Sequence, residues 1–78
     1  MIQVTHHAAV RFLQRIMKKT KFSKKELRMA YKFLEAETKD IVVRSYKDYF
    51  RLPSFSQYRA VVIENRLITI LPKEYRVW

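Results

Sequence analysis

The N-terminal segment carries three residues whose chemistry and spacing point to a function. His7, Arg11 and Arg15 follow one another at intervals of four residues. In a helix, an interval of four rotates the side chain by only about 40°, so the imidazole and both guanidinium groups would share one face. An imidazole exchanges a proton near neutral pH, and a guanidinium group holds phosphate oxygens in a planar fork. The pattern suits binding RNA and, with the imidazole as a base, cleaving it.

The whole chain is strongly basic, which favours a polyanionic partner. Seventeen Lys and Arg residues oppose seven Asp and Glu residues among 78, for a formal net charge of +10 and a pI near 10.2. Such an excess repels itself within a small fold and attracts nucleic acid or a ribonucleoprotein. The alternative is that the charge only keeps the protein monomeric. We favour RNA or the ribosome as the partner.

Length and composition indicate a single small domain, residues 1–78, without metal or cofactor. The absence of cysteine excludes disulfides and thiolate metal sites. The adjacent His6 and His7 would point about 100° apart on a helix and cannot close a metal site alone. The N-terminal residues lack a signal-peptide pattern, and the apolar run at 60–71 is too short to cross a bilayer. We expect a cytoplasmic protein with no membrane contact.

Two amphipathic helices are predicted in the N-terminal half. The first covers residues 5–18 and is capped by its first residue, a threonine. Its buried stripe consists of Ala9, Phe12, Leu13, Ile16 and Met17. The second covers residues 24–37 and starts with a capping box formed by Ser23 and Glu26. Tyr31 and Phe33 are assigned with Phe12 to the core.

After residue 39 the pattern becomes that of strands. Strands are predicted at 41–43, 47–52, 57–63 and 66–71, with a further short one at 1–4, and the segment 47–52 could instead be an irregular turn. Glu64-Asn65 joins the last two strands, since asparagine tolerates the left-handed conformation of a tight hairpin turn. The order is (β)ααβββ or (β)ααββββ. It predicts an α+β fold with two N-terminal helices packed on one face of a three- or four-stranded antiparallel sheet.

The connection between the two helices is rich in lysine. Its cations are Lys18, Lys19, Lys21, Lys24 and Lys25. Together with the free N–H groups at the start of the second helix, they could bind phosphate. Alternatively, the segment is an ordinary solvated turn. We favour the phosphate-binding interpretation.

Aromatic and basic residues alternate between residues 44 and 59, as they do in proteins that bind single-stranded RNA. The aromatic residues are Tyr46, Tyr49, Phe50, Phe55 and Tyr58, and the basic ones are Arg44, Lys47, Arg51 and Arg59. So many rings cannot all fit a small core, so some should contact RNA or a protein partner. The predicted nucleic-acid contacts are Arg44, Tyr49, Arg51 and Tyr58, with Arg11 and Arg15 from the first helix. Those two arginines could equally be a solvated helix face.

The element order and three motifs resemble the RelE/ParE-like superfamily of small bacterial and phage toxins. Residues 5–15 fit the pattern T-x-H-A-x-x-R-F-x-x-R at every fixed position. Residues 58–63, Tyr-Arg followed by apolar residues, are similar to a strand of RelE-like toxins. Residues 67–71, followed by Lys73 and Tyr75, are similar to the last strand of these toxins and its basic-then-tyrosine end. The resemblance in element order covers nearly the whole chain, whereas the motifs themselves are short.

The resemblance implies an RNA endonuclease, acting alone or on ribosome-bound mRNA, or a gyrase-directed toxin of the ParE kind. RNA cleavage needs a base, an acid and cations around the phosphate. By this resemblance Arg59 would stabilise the phosphate, and Lys73 and Tyr75 would be the C-terminal basic residue and tyrosine. His7 would be the imidazole of the opening motif. RelE-like nucleases use basic residues and a tyrosine near the sheet end, so His7 could act there only if the first helix lies beside it.

Two functional hypotheses follow. The first is an RNA-binding, metal-independent endoribonuclease toxin acting on mRNA, with His7, Arg59, Lys73 and Tyr75 as catalytic residues. The second is a non-catalytic binding module, in one version phage-encoded, that inhibits a host protein or coats nucleic acid through residues 44–59. An antitoxin is the implied protein partner under the first hypothesis, and a host target under the second.

Overall fold

Two helical segments and four strands make up the described part of the chain, residues 2–73 of a computed structural model. The first helical segment is α1, His6–Arg11, which continues as a π-helical segment, Phe12–Ile16; the second is α2, Lys24–Thr38. The strands are β1, Gln3–Val4; β2, Lys47–Leu52; β3, Phe55–Ile63; and β4, Arg66–Pro72. Neither helix within residues 2–73 has the length and apolar character that a membrane span requires.

The strands form one mixed sheet in the order β1-β4-β3-β2. Strands β2, β3 and β4 pair antiparallel, whereas β1 runs parallel to β4, with Val4 opposite Leu67. The α+β class, the two N-terminal helices and the four strands are therefore confirmed, but the wholly antiparallel sheet is wrong. Strand β1 is joined to the rest of the sheet through the helices, and no hairpin turn obliges it to run antiparallel to its neighbour.

Thr5 fixes the start of α1 and its position on the sheet. The Thr5 hydroxyl accepts a hydrogen bond from the Ala8 amide at 3.3 Å, which confirms the predicted N-cap. The same hydroxyl donates to the Leu67 carbonyl of β4 at 2.7 Å. The helix extends to Ile16 through π-helical turns and is followed by Lys18 with a left-handed φ of 57°. The single helix predicted over 5–18 is thus close in extent, but its second half is wider than an α-helix.

Helix α2 begins with the predicted capping box. The Ser23 hydroxyl accepts from the Glu26 amide at 3.2 Å, and the Ser23 amide donates to the Glu26 carboxylate at 3.1 Å. At the other end, both carboxylate oxygens of Glu37 accept hydrogen bonds from Ser54, from its amide and its hydroxyl, each at 2.9 Å. This carboxylate therefore ties the turn between β2 and β3 to the end of α2.

The carboxyl group of Glu26 links the stability of this helix start to pH. Its pKa is lowered from the ordinary value of 4.5, first by a hydrogen bond from Lys19 and then by the Ser23 amide. Because the folded-state pKa lies below the unfolded one, the ionised carboxylate stabilises the fold above the unfolded value, and this contribution is lost as pH falls through the lowered value. We expect the difference in urea midpoint between the wild type and Glu26→Gln to shrink below pH 4.5. A difference that is constant across that range would contradict the linkage.

The core lies between the helices and one face of the sheet. Its fully buried large apolar side chains are Leu34, Leu52, Val62, Leu67 and Ile70. Phe12 is also buried, and Tyr31 and Phe33 pack against the core, as predicted. Because side chains alternate along a strand, Ala60 and Val62 of β3 face the helices, and Arg59 and Val61 face the other way.

The strand predicted at 41–43 is wrong, because residues 41–44 have no regular secondary structure. Ile41 and Val43 pack against the core, whereas Val42 is 72% exposed. The alternating β-branched residues therefore cover part of the core, although none of the described strands pairs with them. The hairpin turn predicted at Glu64-Asn65 is confirmed, with left-handed φ values of 52° and 63°.

Candidate nucleic-acid interface

The face of the sheet opposite the helices, called here the distal face, carries most of the strand residues that were predicted to bind nucleic acid. The pairing register places side chains from three strands on it: Lys47, Tyr49 and Arg51 of β2, Arg59, Val61 and Ile63 of β3, and Thr69 and Leu71 of β4. The three cations in this set are exposed, and Tyr49 is half-buried. The alternation of side chains along the strands therefore places several cations and one aromatic ring on the same face of the sheet.

Arg51 and Arg59 lie directly opposite each other on β2 and β3. Side chains so paired have Cβ atoms about 5 Å apart, and like charges in this position destabilise a sheet. Among residues 2–73, the observed ion pair is Lys19–Glu26, so no described carboxylate offsets the two guanidinium groups. Two adjacent, exposed guanidinium groups are well placed to bind one phosphate group or two successive ones.

Tyr49 provides the aromatic part of the distal face. Lys47 Nζ lies 5.7 Å from the centroid of the Tyr49 ring, within the range of a cation–π contact. Tyr49 is opposite Val61 on β3, which in turn is opposite Thr69 on β4. The ring therefore lies one pleat away from the arginine pair, where a base could stack while its phosphate contacts a guanidinium group.

Lys73 and Gln57 mark the end of the sheet nearest to Arg59. The Lys73 amide donates to the Gln57 carbonyl at 2.7 Å, directly after β4 ends. These two residues, with Tyr58 and Pro72, line a cleft of about 340 Å³. Arg59 is opposite Leu71, so Arg59 and Lys73 lie at the same end of neighbouring strands. Tyr75, the other residue predicted for this end, lies outside the described residues.

Tyr58, another residue predicted to contact nucleic acid, contacts the core and the first helical segment. Its ring packs against the core, and its hydroxyl donates to the Arg15 carbonyl at 3.0 Å. Arg15 itself is half-buried, and its Nε has no hydrogen-bond partner among the described residues. The contact holds the end of the π-helical segment against β3.

His7 and Arg11 interact as the helical spacing predicts. Arg11 Nε donates to His7 Nε2 at 3.3 Å, and the same guanidinium group donates to the Gln14 side chain at 3.0 Å. The described hydrogen bonds of this group join His7, Arg11 and Gln14, whereas Arg15 lies in the π-helical segment and is half-buried.

His7 does not lie beside Arg59 and Lys73. Helix α1 starts next to Leu67 at the beginning of β4, whereas Arg59 is opposite Leu71 near the end of that strand. Four residues of strand span about 13 Å. Arg59 also projects from the distal face, away from the helices. The geometry therefore separates His7 from Arg59 and Lys73.

The lysine-rich connection is an exposed basic surface. Lys18, Lys21, Lys24 and Lys25 are exposed, as is Arg44 in the irregular segment before β2. Lys19 is the exception, because it pairs with Glu26. The Glu26 carboxylate already provides the negative charge that favours a helix N-terminus, so the first turn of α2 has less attraction for a phosphate than the sequence suggested.

Lys47 was missing from the predicted set of contacts. Lys47, Tyr49 and Arg51 are spaced two residues apart, and this strand period alone would have placed all three on one face.

Within residues 2–73 no three His, Asp or Glu side chains are grouped as metal ligands would be. Comparisons with family models, curated proteins and solved structures found no match to this chain. The functional argument therefore depends on the geometry and on the residue chemistry.

Proposed function

We propose that this protein binds single-stranded RNA with the distal face of its sheet. Arg51 and Arg59 bind phosphate oxygens, Tyr49 stacks on a base, and Lys47 adds a further cation beside the ring. The observation that carries the proposal is the opposed pair of exposed arginines, which no carboxylate within residues 2–73 offsets. A pair that costs folding energy is best explained by a ligand that neutralises it.

The strands supply the geometry that this binding mode requires. Successive side chains on one face of a strand are about 6.6 Å apart, and this spacing is similar to that of phosphates along an extended single strand. The basic surface formed by Lys18, Lys21, Lys24 and Lys25 adds attraction at longer range. Single-stranded RNA is favoured over a duplex because only an unpaired base can expose its ring to Tyr49.

The resemblance to RelE/ParE-like toxins extends the proposal to metal-independent cleavage of mRNA. In that reaction the 2′-hydroxyl attacks the adjacent phosphorus, the 5′-oxygen leaves with a proton, and a 2′,3′-cyclic phosphate remains. Arg59 would stabilise the charge on the phosphorane, and Lys73 and Tyr75 would act at the sheet end. The described residues place cations at this end of the sheet and leave the imidazole of His7 elsewhere, so the geometry supports binding more directly than cleavage.

The test is incubation of the purified protein with a 5′-labelled mRNA, with and without ribosomes. Arg59→Gln is compared with Arg28→Gln, which removes the same charge from an exposed position on α2. Fragments made by the wild type and by Arg28→Gln but not by Arg59→Gln would establish an endoribonuclease. A salt-sensitive mobility shift without fragments would establish a non-catalytic RNA-binding module. Absence of both would overturn the proposal and favour a host protein as the target.

A further inference from the structure

An apolar groove lies between the π-helical segment and α2, on the helix side of the molecule. Its floor consists of Phe12, Phe33 and Phe55, and its rim carries Met17 and Met29. The cavity volume is about 310 Å³. The RNA-binding proposal uses none of these residues, so the groove needs a separate explanation.

The floor of the groove is preformed. The Phe12 and Phe33 rings stack with centroids 5.1 Å apart, and Phe55 meets them edge-on at 6.0 and 5.7 Å. Three mutually packed rings from three different segments hold their shape without a ligand. A ligand would therefore find an ordered apolar surface already in place, which reduces the entropic cost of binding.

The rim of the groove is exposed and adaptable. Met17 is 48% exposed and Met29 is 61% exposed, and they are two of the four large apolar side chains found exposed among the described residues. A single exposed apolar residue is ordinary, but here two converge on one groove. Methionine side chains are flexible and polarizable, and they are common at surfaces that bind apolar segments of other proteins.

Positive charges flank the groove. Lys25 and Lys32 are exposed, and they lie four residues before and three residues after Met29 on α2, so they are its neighbours on the helix surface. The lining of the groove itself includes the Lys19–Glu26 ion pair, so its one described carboxylate, that of Glu26, is already balanced by Lys19. An occupant of the groove therefore meets an apolar centre with a basic border.

We propose that this groove docks an amphipathic, acidic helix of a partner protein. Apolar residues of that helix, at i, i+3 or i+4 and i+7, would cover the phenylalanine rings, and its Asp and Glu residues would face Lys25 and Lys32. A second copy of this chain is a poor occupant, because two molecules of net charge +10 would bring their lysines together. RNA offers no extended apolar surface to the methionines.

The site can be tested by NMR of the full chain labelled at the methionine methyl groups. The sequence contains three methionines, so the spectrum is simple and the two groove signals can be assigned with Met17→Leu and Met29→Leu. The probe is a synthetic peptide of about 18 residues, or five helical turns, with leucines at i, i+3, i+4 and i+7 and glutamates at the flanking positions. A second peptide keeps the leucines and replaces every glutamate with lysine.

We expect the acidic peptide to shift both groove signals saturably and the basic peptide to bind at least about tenfold more weakly. Lys25→Glu/Lys32→Glu should reverse that preference. Met29→Glu should lower the affinity for the acidic peptide by about tenfold. RNA binding by Met29→Glu should be unchanged, which separates this proposal from the distal face.

Four outcomes would overturn the docking proposal. They are no shift with the acidic peptide, equal shifts with both peptides, no effect of the charge reversal, and shifts of the groove signals that follow protein concentration alone. The last outcome would assign the groove to a second copy of the chain. A fifth outcome, shifts of the same signals on adding an RNA oligonucleotide, would also overturn the proposal and would assign the groove to nucleic acid.

Discussion

Arg51→Gln/Arg59→Gln is expected to bind single-stranded RNA about a hundredfold more weakly than the wild type while folding at least as stably. A hydrogen bond to a charged group contributes about 1.5 kcal/mol, close to a tenfold change in affinity for each arginine. Stability should not fall, since the substitutions remove a repulsion between directly opposed like charges. Fluorescence anisotropy with a labelled oligonucleotide and urea unfolding measure the two quantities.

Salt dependence gives a second readout for the same variant. For single strands, log K falls with log salt by about 0.7 for each phosphate neutralised, so losing two contacts should make the slope shallower by about 1.4. The matched control is Arg28→Gln/Lys32→Gln, which removes two charges from exposed positions on α2. An equal loss of affinity in both double variants would mean that RNA responds only to net charge, and the distal face would no longer be the binding site.

Phe12→Ala is expected to lower the free energy of unfolding by about 3–5 kcal/mol. Phe12 is buried, and it contacts both Phe33 and Phe55, so its removal leaves a cavity where three segments meet. A domain of this size has a total stability of roughly 4–12 kcal/mol, so the variant should unfold at much lower urea or lose its cooperative transition. The free energy of unfolding can be measured by following far-UV circular dichroism during a urea titration.

Two further variants serve as controls for the stability loss expected in Phe12→Ala. Met29→Ala changes a side chain of the same groove that is mostly exposed, and it should alter stability by no more than about 0.5 kcal/mol. Phe12→Leu should lie between the wild type and Phe12→Ala, which keeps the comparison measurable if the alanine variant does not fold. A loss below about 1 kcal/mol in Phe12→Ala would show that the ring cluster does not anchor the π-helical segment.

Features coded by neighbouring residues could be predicted from the sequence. The capping box of Ser23 and Glu26 involves atoms three residues apart, and the structure contains both of its hydrogen bonds. The same holds for the hairpin turn at Glu64-Asn65, where a residue tolerant of positive φ lies between two strand patterns. Such signals need no knowledge of the rest of the fold.

Features that depend on distant neighbours could not be predicted in this way. Residues 41–43 have the composition of a strand, but no strand within residues 2–73 pairs with them. The π-helical turns at Phe12–Ile16 were not predicted either, since the local pattern is that of an ordinary amphipathic helix. Whether β1 runs parallel or antiparallel to β4 likewise depends on the path through both helices, which the four residues at 1–4 do not encode.

The strong positive charge, the helix starts, the hairpin turn and the alternation of aromatic and basic residues at 44–59 can all be read from the amino-acid sequence. Which of those residues meet depends on how the strands and helices pack. Arg51 lies opposite Arg59 because β2 and β3 pair in one particular register, with an irregularity beside Arg51. His7, in contrast, lies in the first turn of α1, which begins next to Leu67 near the start of β4. Composition and local propensity act over a few residues, whereas a binding face is formed by strand pairing between residues that are far apart in the chain.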